Sequence, residues 1–372
     1  MSAALNLVVA CCRWPDDDRR RAAIANAAKR VTDWDQVVYR ADRHRVEPLV
    51  ANGLAATGIS VPLALEEALE RFRSDTIRDL GESLRIAAAL TNQNISHRFL
   101  KGGALGVVAY GSPLLKRSWD IDLLVLPHDA VRAAACLKAL GYAPIVPPRP
   151  LDQAEYSRWS VVSKEAEFHS PRGSTVELHW RVIDHPGLLA AINAAGPSRP
   201  VVLLGTHQVA TLTDAANLAY LAVHGGTHAW FRLKWIADFN GLLASFAPAR
   251  RMALLDEVRA TGAGYAIDIA VALTQSLFDD DDTKANNRTS RAVLLSRQAI
   301  AASEDVAQQR AAALRWSLQP GIAYRLAEAR LRLRGTLDRI DHPLPARLAF
   351  LYPWLRPFLW GRRRWIRHRS RD

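Results

Sequence analysis

Residues 99–126 read FLKGGALGVVAYGSPLLKRSWDIDLLVL, and the interpretation of the whole chain turns on this stretch. A short apolar run ends in Lys101-Gly102-Gly103, a helix-compatible segment follows from Ala104 to Tyr110, and Gly111-Ser112-Pro113 makes a turn. The strand-like run after it carries Asp120 and Asp122. Strand side chains alternate, so both aspartates project to one side while Ile121, Leu123 and Val125 point to the other. Two carboxylates this close repel each other and lose hydration when partly buried, which makes a divalent cation their natural compensator. Mg2+ prefers carboxylate and phosphate oxygens, so a bound nucleotide is the expected third partner. The glycine pair suits that ligand, because it lets backbone N–H groups approach a phosphate at the start of the following helix.

Working outward, Pro62 to Gln93 predicts one long helix, with Leu65, Leu69, Phe72, Ile77, Leu80, Leu84, Ile86 and Leu90 at helical spacing. Ile95 to Leu100 predicts an extended run, and Ala130 to Leu140 a helix closed by Gly141 in a left-handed cap. Strand, glycine turn, helix and strand make an α/β unit whose ligand edge lies at the turn. After a proline-rich connector at Val146 to Pro150, Arg158 to His169 and Thr175 to Val182 read as the two strands of a hairpin. In the second, Val176, Leu178, Trp180 and Val182 share the core face and leave Glu177 and His179 on the other. Glu177 is thereby free to complete a triad with Asp120 and Asp122. His179 either touches metal or substrate or orients Glu177 through a hydrogen bond.

Leu5 to Leu54 reads as helical, with stops near Trp14-Pro15 and Thr32-Asp33. From Pro186 onward the chain also reads as nearly all helical. Asp214 to His224 forms a helix capped by Thr213, Gly225-Gly226 loosens it, and a further helix runs from about Ala229 to Leu243. Later apolar periodicity recurs through 252–278, 292–316 and 319–336.

With these residues in place, the chain resembles the DNA polymerase β superfamily of nucleotidyltransferases. The features carrying the likeness are Gly102-Gly103 followed by Asp120-Ile121-Asp122 on the next strand. It resembles more closely a largely uncharacterised bacterial branch, through Lys101-Gly102-Gly103-Ala104, Arg117 shortly before the acids, and Glu177-Leu178-His179-Trp180. The resemblance implies an α+β fold: a minimal nucleotidyltransferase α/β domain with a mixed sheet, flanked by N-terminal helices and a helical C-terminal domain. It implies transfer of a nucleoside monophosphate from an NTP to a hydroxyl acceptor, with two Mg2+ ions held by Asp120, Asp122 and Glu177. Gly102 and Gly103 would hold the β and γ phosphates, and Lys101 and Arg117 would contact the same groups. The plainer reading makes Lys101 a surface-turn cap and Arg117 a structural partner of Asp120 or Asp122. His224, His228, Lys234 and Asp238, in a segment that also resembles the branch, are expected to line the substrate side of the cleft. Zinc binding by the two histidines fits poorly, since no glutamate follows His224. His44 is expected to complete a local hydrogen-bond network.

At 372 residues and 49% hydrophobic, the chain is long enough for more than one domain. The expected division is an N-terminal helical segment at 1–94, a catalytic core at 95–185, a helical substrate-side domain at 186–340 and a basic aromatic tail at 341–372. A formal net charge of +12 attracts polyanions without choosing among them. Cys11, Cys12 and Cys136 offer neither a disulfide framework nor zinc spacing, which points to a reducing cytoplasm. No segment approaches twenty uninterrupted apolar residues, so no transmembrane helix is expected. The run from Asp279 to Asp282 lacks the glycine and terminal glutamate of a calcium loop and reads as solvated. In the tail, arginines interleave with Phe350, Trp354, Phe358, Trp360 and Trp365. They suit an anionic membrane face, with peripheral attachment, or nucleic acid; packing on the helical domain is the alternative. A tail-adding or nucleic-acid-binding protein and a catalytically silent scaffold are the competing functional readings.

Overall fold

The chain is α+β, with a mixed sheet and flanking helices, as expected. The computed structural model describes residues 1–279, 287–319, 321–333, 336–342 and 344–369. Among these, seven strands form one sheet: β1 (His97–Phe99), β2 (Ile121–Val125), β3 (Ala143–Val146), β4 (Glu165–His169), β5 (Thr175–His179), β6 (Ser198–Leu204) and β7 (His207–Leu212). Their order is β3-β4-β5-β2-β1-β7-β6. The pairs β2/β5 and β1/β7 are parallel and the other neighbours antiparallel.

Helices α1 (Ala3–Cys12), α2 (Asp18–Ala28), α3 (Trp34–His44) and α4 (Glu47–Ala56) precede the sheet. Arg20 on α2 is fully buried and donates to the carbonyls of Cys11 and Leu49, which ties α1, α2 and α4 together. Helix α5 (Leu63–Asn92) forms over nearly the expected span, because Leu65, Leu69, Phe72, Leu80, Ile86 and Leu90 make one buried stripe. Within the sheet unit lie α6 (Gly102–Tyr110), α7 (Ala130–Ala139) and α8 (Gln153–Ser160). Gly141 has φ +92°, the left-handed geometry expected of it.

Beyond the sheet run α9 (Asp214–Thr227), α10 (Leu233–Ala244), α11 (Pro248–Val258), α12 (Gly264–Phe278), α13 (Asn287–Ala301), α14 (Glu304–Arg315), α15 (Ile322–Leu333), α16 (Thr336–Asp341) and α17 (Tyr352–Arg369). One hydrophobic cluster runs from Ala4 to Tyr324. Most of the acidic run, Asp280 to Asp282, lies outside the described residues, as do Ser370 to Asp372 at the end of the basic tail.

Three local expectations are corrected. Residues after Pro186 are not all helical, since β6 and β7 extend the sheet; Val202 and Leu204 are apolar although they face outward, and this hides the two-residue alternation. Residues 158–160, the expected start of the first hairpin strand, end α8 instead, a helix opened by the reciprocal capping box of Asp152 and Glu155, and β4 begins at Glu165. Gly225-Gly226 does not loosen its helix either, for α9 continues through both.

The two glycines are there for packing. A Cβ at Gly225 would stand 2.2 Å from the ring of Trp230, which is fully buried, and one at Gly226 would meet Leu318 at 2.6 Å. Gly225→Ala is therefore expected to destabilise the protein by about 2 kcal/mol or more. Gly81→Ala, inside α5 with nothing within 4 Å of the added methyl, should stabilise it by about 0.5–1 kcal/mol. Urea denaturation of the two variants checks both signs.

Candidate active site

The sheet register assembles the acids. In the parallel β2/β5 pair Asp122 lies opposite Glu177, and in the antiparallel β4/β5 pair Glu165 lies opposite His179 and Glu167 opposite Glu177. Val176, Leu178 and Trp180 are buried on the other face, as the alternation requires. His179 is fully buried among the carboxylates, its Nε2 3.1 Å from Asp122 Oδ1 and 3.3 Å from Glu177 Oε2, and its Nδ1 3.0 Å from Glu165 Oε2. One ligand atom each from Asp122, Glu177 and His179 lie within 4.8 Å of one another.

Lys101 reaches into this group from the start of α6, with Nζ 2.7 Å from Asp122 Oδ1 and 5.8 Å from the Tyr220 ring centre. Burial alone would lower its pKa, but the charges of Asp122, Asp120 and Glu177 outweigh burial and hold it well above the usual lysine range. Asp122 is likewise held well below the carboxylate range: burial works against ionisation, and Lys101 and His179 overcome it. Glu177 is lowered despite burial by its hydrogen bond to His179. Asp120, just before β2, accepts from Ser118 Oγ at 3.3 Å. Burial and the neighbouring Asp122 charge push its pKa up to about 6.

One oxygen of this cluster, Asp122 Oδ2, is buried with no hydrogen-bond partner. An orphaned carboxylate oxygen beside Glu177, with Asp120 nearby and reluctant to ionise, is the donor set a hard divalent cation satisfies. The residues present fit such an ion.

A cleft of about 580 Å³ opens over the acids, which is enough for a nucleotide. Lys101, Asp120, Glu165 and Glu177 line it on the sheet side, and His224, His228 and Lys234 on the helical side. Arg45, Lys164 and Arg315 also line it, and sequence reading had not singled them out. Arg45 is the left-handed residue (φ 56°) closing α3, a position that no composition pattern marks. Lys234 has no ion pair among the described residues. Burial, then the charges of Lys116, Arg45 and Lys101, depress its pKa to about 7. His224 and His228 are held uncharged by burial and by the same cationic surroundings, His228 down to about 3. Trp235 stacks on His228 with ring centres 4.7 Å apart. The missed signal for Glu165 was the alternation of residues 165–169, which puts Glu165 and Glu167 on the face of Glu177.

Three expected contributors sit differently. Asp238 does not line the cleft; it is buried against Lys116 Nζ at 2.7 Å and Tyr110 Oη at 3.0 Å, locking α10 to α6. Arg117 turns toward the N-terminal helices, where it pairs with Glu47 and with Asp42 at 3.0 Å. Gly102 has φ +59°, which demands glycine, whereas a Cβ on Gly103 would stand 2.3 Å from Leu80, so Gly103 serves the packing of α5 on α6.

His44 is the joint between Arg45 and Lys234. It is fully buried and accepts from the N–H of Leu233 at 3.3 Å, at the start of α10. Burial, then repulsion by Arg43, Arg40 and Arg232, depress its pKa to about 3. The unfolded chain therefore binds this proton more readily below about 6.5, so stability from His44 is complete above that pH and declines as pH falls toward about 3. His44→Gln should show a smaller fall in Tm between pH 7 and 5 than the parent, which thermal melts across that range measure.

No curated protein matches the chain. A sequence model of the family described as "Uncharacterised nucleotidyltransferase" matches residues 30–279, a span that includes the glycine pair, the acidic strands, the neutral histidines and Lys234. The chain belongs to this nucleotidyltransferase family and is a transferase.

Proposed function

We propose that the protein transfers a nucleoside monophosphate from an NTP to a hydroxyl acceptor in a Mg2+-dependent reaction at the β2/β5 acids. The observation carrying this reading is the buried, unpartnered Asp122 Oδ2 set directly across the register from Glu177. Asp122, Glu177 and Asp120 would hold the metal, which supplies neutralisation of the triphosphate charge and a lowered pKa for the attacking hydroxyl. The hydroxyl oxygen forms a bond to the α-phosphorus, the bond from that phosphorus to the bridging oxygen breaks, and pyrophosphate leaves with the electron pair. Glu177 accepts the hydroxyl proton.

The chain's own residues supply position and charge. Gly102 opens α6 with its backbone free of a Cβ and lines, with Lys101, Asp120 and Asp122, a small cavity of about 30 Å³, where N–H groups at that helix start would meet a phosphate. Lys101 exchanges its contact with Asp122 for a phosphate oxygen. Arg45 and Lys234, both on the cleft wall and free of carboxylate partners among the described residues, take the terminal phosphates. The uncharged pair His224 and His228, with Trp235 stacked beside them, receives an uncharged polar or planar group of the base, ribose or acceptor. Arg117 acts through structure, holding the pre-β2 segment to α4.

Purified protein with Mg2+ should consume labelled NTP and release pyrophosphate across a panel of hydroxyl acceptors. Asp122→Asn and Glu177→Gln should each lower kcat by roughly 1000-fold. No turnover together with no NTP binding by calorimetry would remove the basis of the reading. Lys234→Met should raise the NTP KM about tenfold with little change in kcat. Because burial and the neighbouring cations depress its ammonium pKa to about 7, the parent's NTP affinity should weaken as pH rises from 6.5 to 8.5, and Lys234→Met should flatten that dependence.

A further inference from the structure

The C-terminal helix α17 turns its side chains the wrong way round for a helix that serves only the protein's own core. Tyr352, Arg356 and Leu359, at helical spacing, face the body, while Trp354 and Phe358 are each 76% exposed on the outside. Phe350, just before the helix, is 67% exposed. On the adjoining α15, Ile322 is 78% exposed. A helix driven onto the body by its apolar residues would bury the aromatics and expose Arg356. Instead Arg356 lies 3.5 Å from Asp338 and lines the cleft, and the largest apolar side chains are left to water.

The charge of the same segment identifies what covers them. Residues 342–371 contain eight arginines and no Asp or Glu. So basic a segment repels a second copy of itself and attracts an anionic surface. The exposed set on α17 mixes aliphatic Leu355, 37% exposed, with aromatics. A hydrocarbon boundary takes both kinds, whereas stacking on nucleic-acid bases uses only the rings. Among the described residues no helix is long and apolar enough to cross a membrane, so contact through this face is peripheral.

We propose that α17 docks on an anionic lipid bilayer, its exposed Trp354 and Phe358 entering the interface and Arg362 meeting the headgroups. Arg356, on the opposite face of α17, walls the cleft together with Glu328 and Arg332 of α15, so the docked helix lies between the bilayer and the cleft. The proposal is independent of which acceptor the cleft uses.

The test is flotation of the full-length protein with vesicles of phosphatidylcholine alone and of phosphatidylcholine mixed with phosphatidylglycerol. The expected result is binding to the phosphatidylglycerol vesicles, at least about tenfold weaker on phosphatidylcholine, and weakened by salt. The double variant Trp354→Ser/Phe358→Ser, whose side chains lie outside the core, should keep the parent melting curve and lose about tenfold in vesicle affinity. Arg362→Gln, also on an exposed position, should lose less and only on the anionic vesicles. Unchanged flotation of the double variant, or no flotation of the parent, overturns the proposal. So does either alternative without vesicle binding: a parent dimer that the double variant abolishes, or salt-sensitive binding to single-stranded RNA.

Discussion

Four carboxylates on one face of three neighbouring strands are the constraint around which this protein is built. Asp122, Glu177, Glu165 and Glu167 share that face of β2, β5 and β4, where burial makes their mutual repulsion expensive. In the protein alone, Lys101 and His179 offset it, and each is placed by a separate feature of the chain. Lys101 ends the β1 turn because Gly102 adopts a left-handed conformation, and His179 follows Glu177 by two residues on β5. The compensation is incomplete: Asp120 keeps a raised pKa and Asp122 Oδ2 has no partner. A site left electrostatically unfinished in this way favours whatever cation or cationic group completes it.

The helical half faces this acidic wall with the opposite charge. Arg45 comes from the end of α3, Lys234 from the first turn of α10 and Arg315 from the end of α14. Burial, and then the neighbouring cations, holds His224 and His228 uncharged and depresses Lys234, so the cleft places neutral hydrogen-bonding groups between a cationic and an anionic wall. Such a division suits a ligand with a strongly anionic end and an uncharged polar end. Two buried joints keep the walls in register: His44 to the Leu233 amide, and Lys116 with Tyr110 to Asp238.

Much of this was legible before any coordinates. The glycine pair, the alternating acids and the later Glu177 announce themselves because charged residues in apolar strands violate the pattern around them, and α5 announces itself by length and period. The β6–β7 hairpin did not, since Val202 and Leu204 put apolar side chains on its outer face and erased the alternation. Gly225 was misleading for a related reason: local propensity reads glycine as a break, and only the position of the Trp230 ring shows it as a packing contact. The resemblance marks Arg117 and Asp238 as site residues, yet each finds a partner more than seventy residues away in sequence, in Asp42 and Lys116. Arg45 was passed over because its place in the cleft depends on the backbone turn after α3, which side-chain pattern does not encode.

The most direct test of the acidic wall as a metal-dependent nucleotide site is electron paramagnetic resonance of Mn2+ titrated into the protein with a nonhydrolysable NTP. Bound Mn2+ that appears only with wild-type protein and nucleotide together, and that disappears in Asp122→Asn, is the predicted result. Equal Mn2+ binding by Asp122→Asn, or no bound signal in the wild-type ternary mixture, would contradict it.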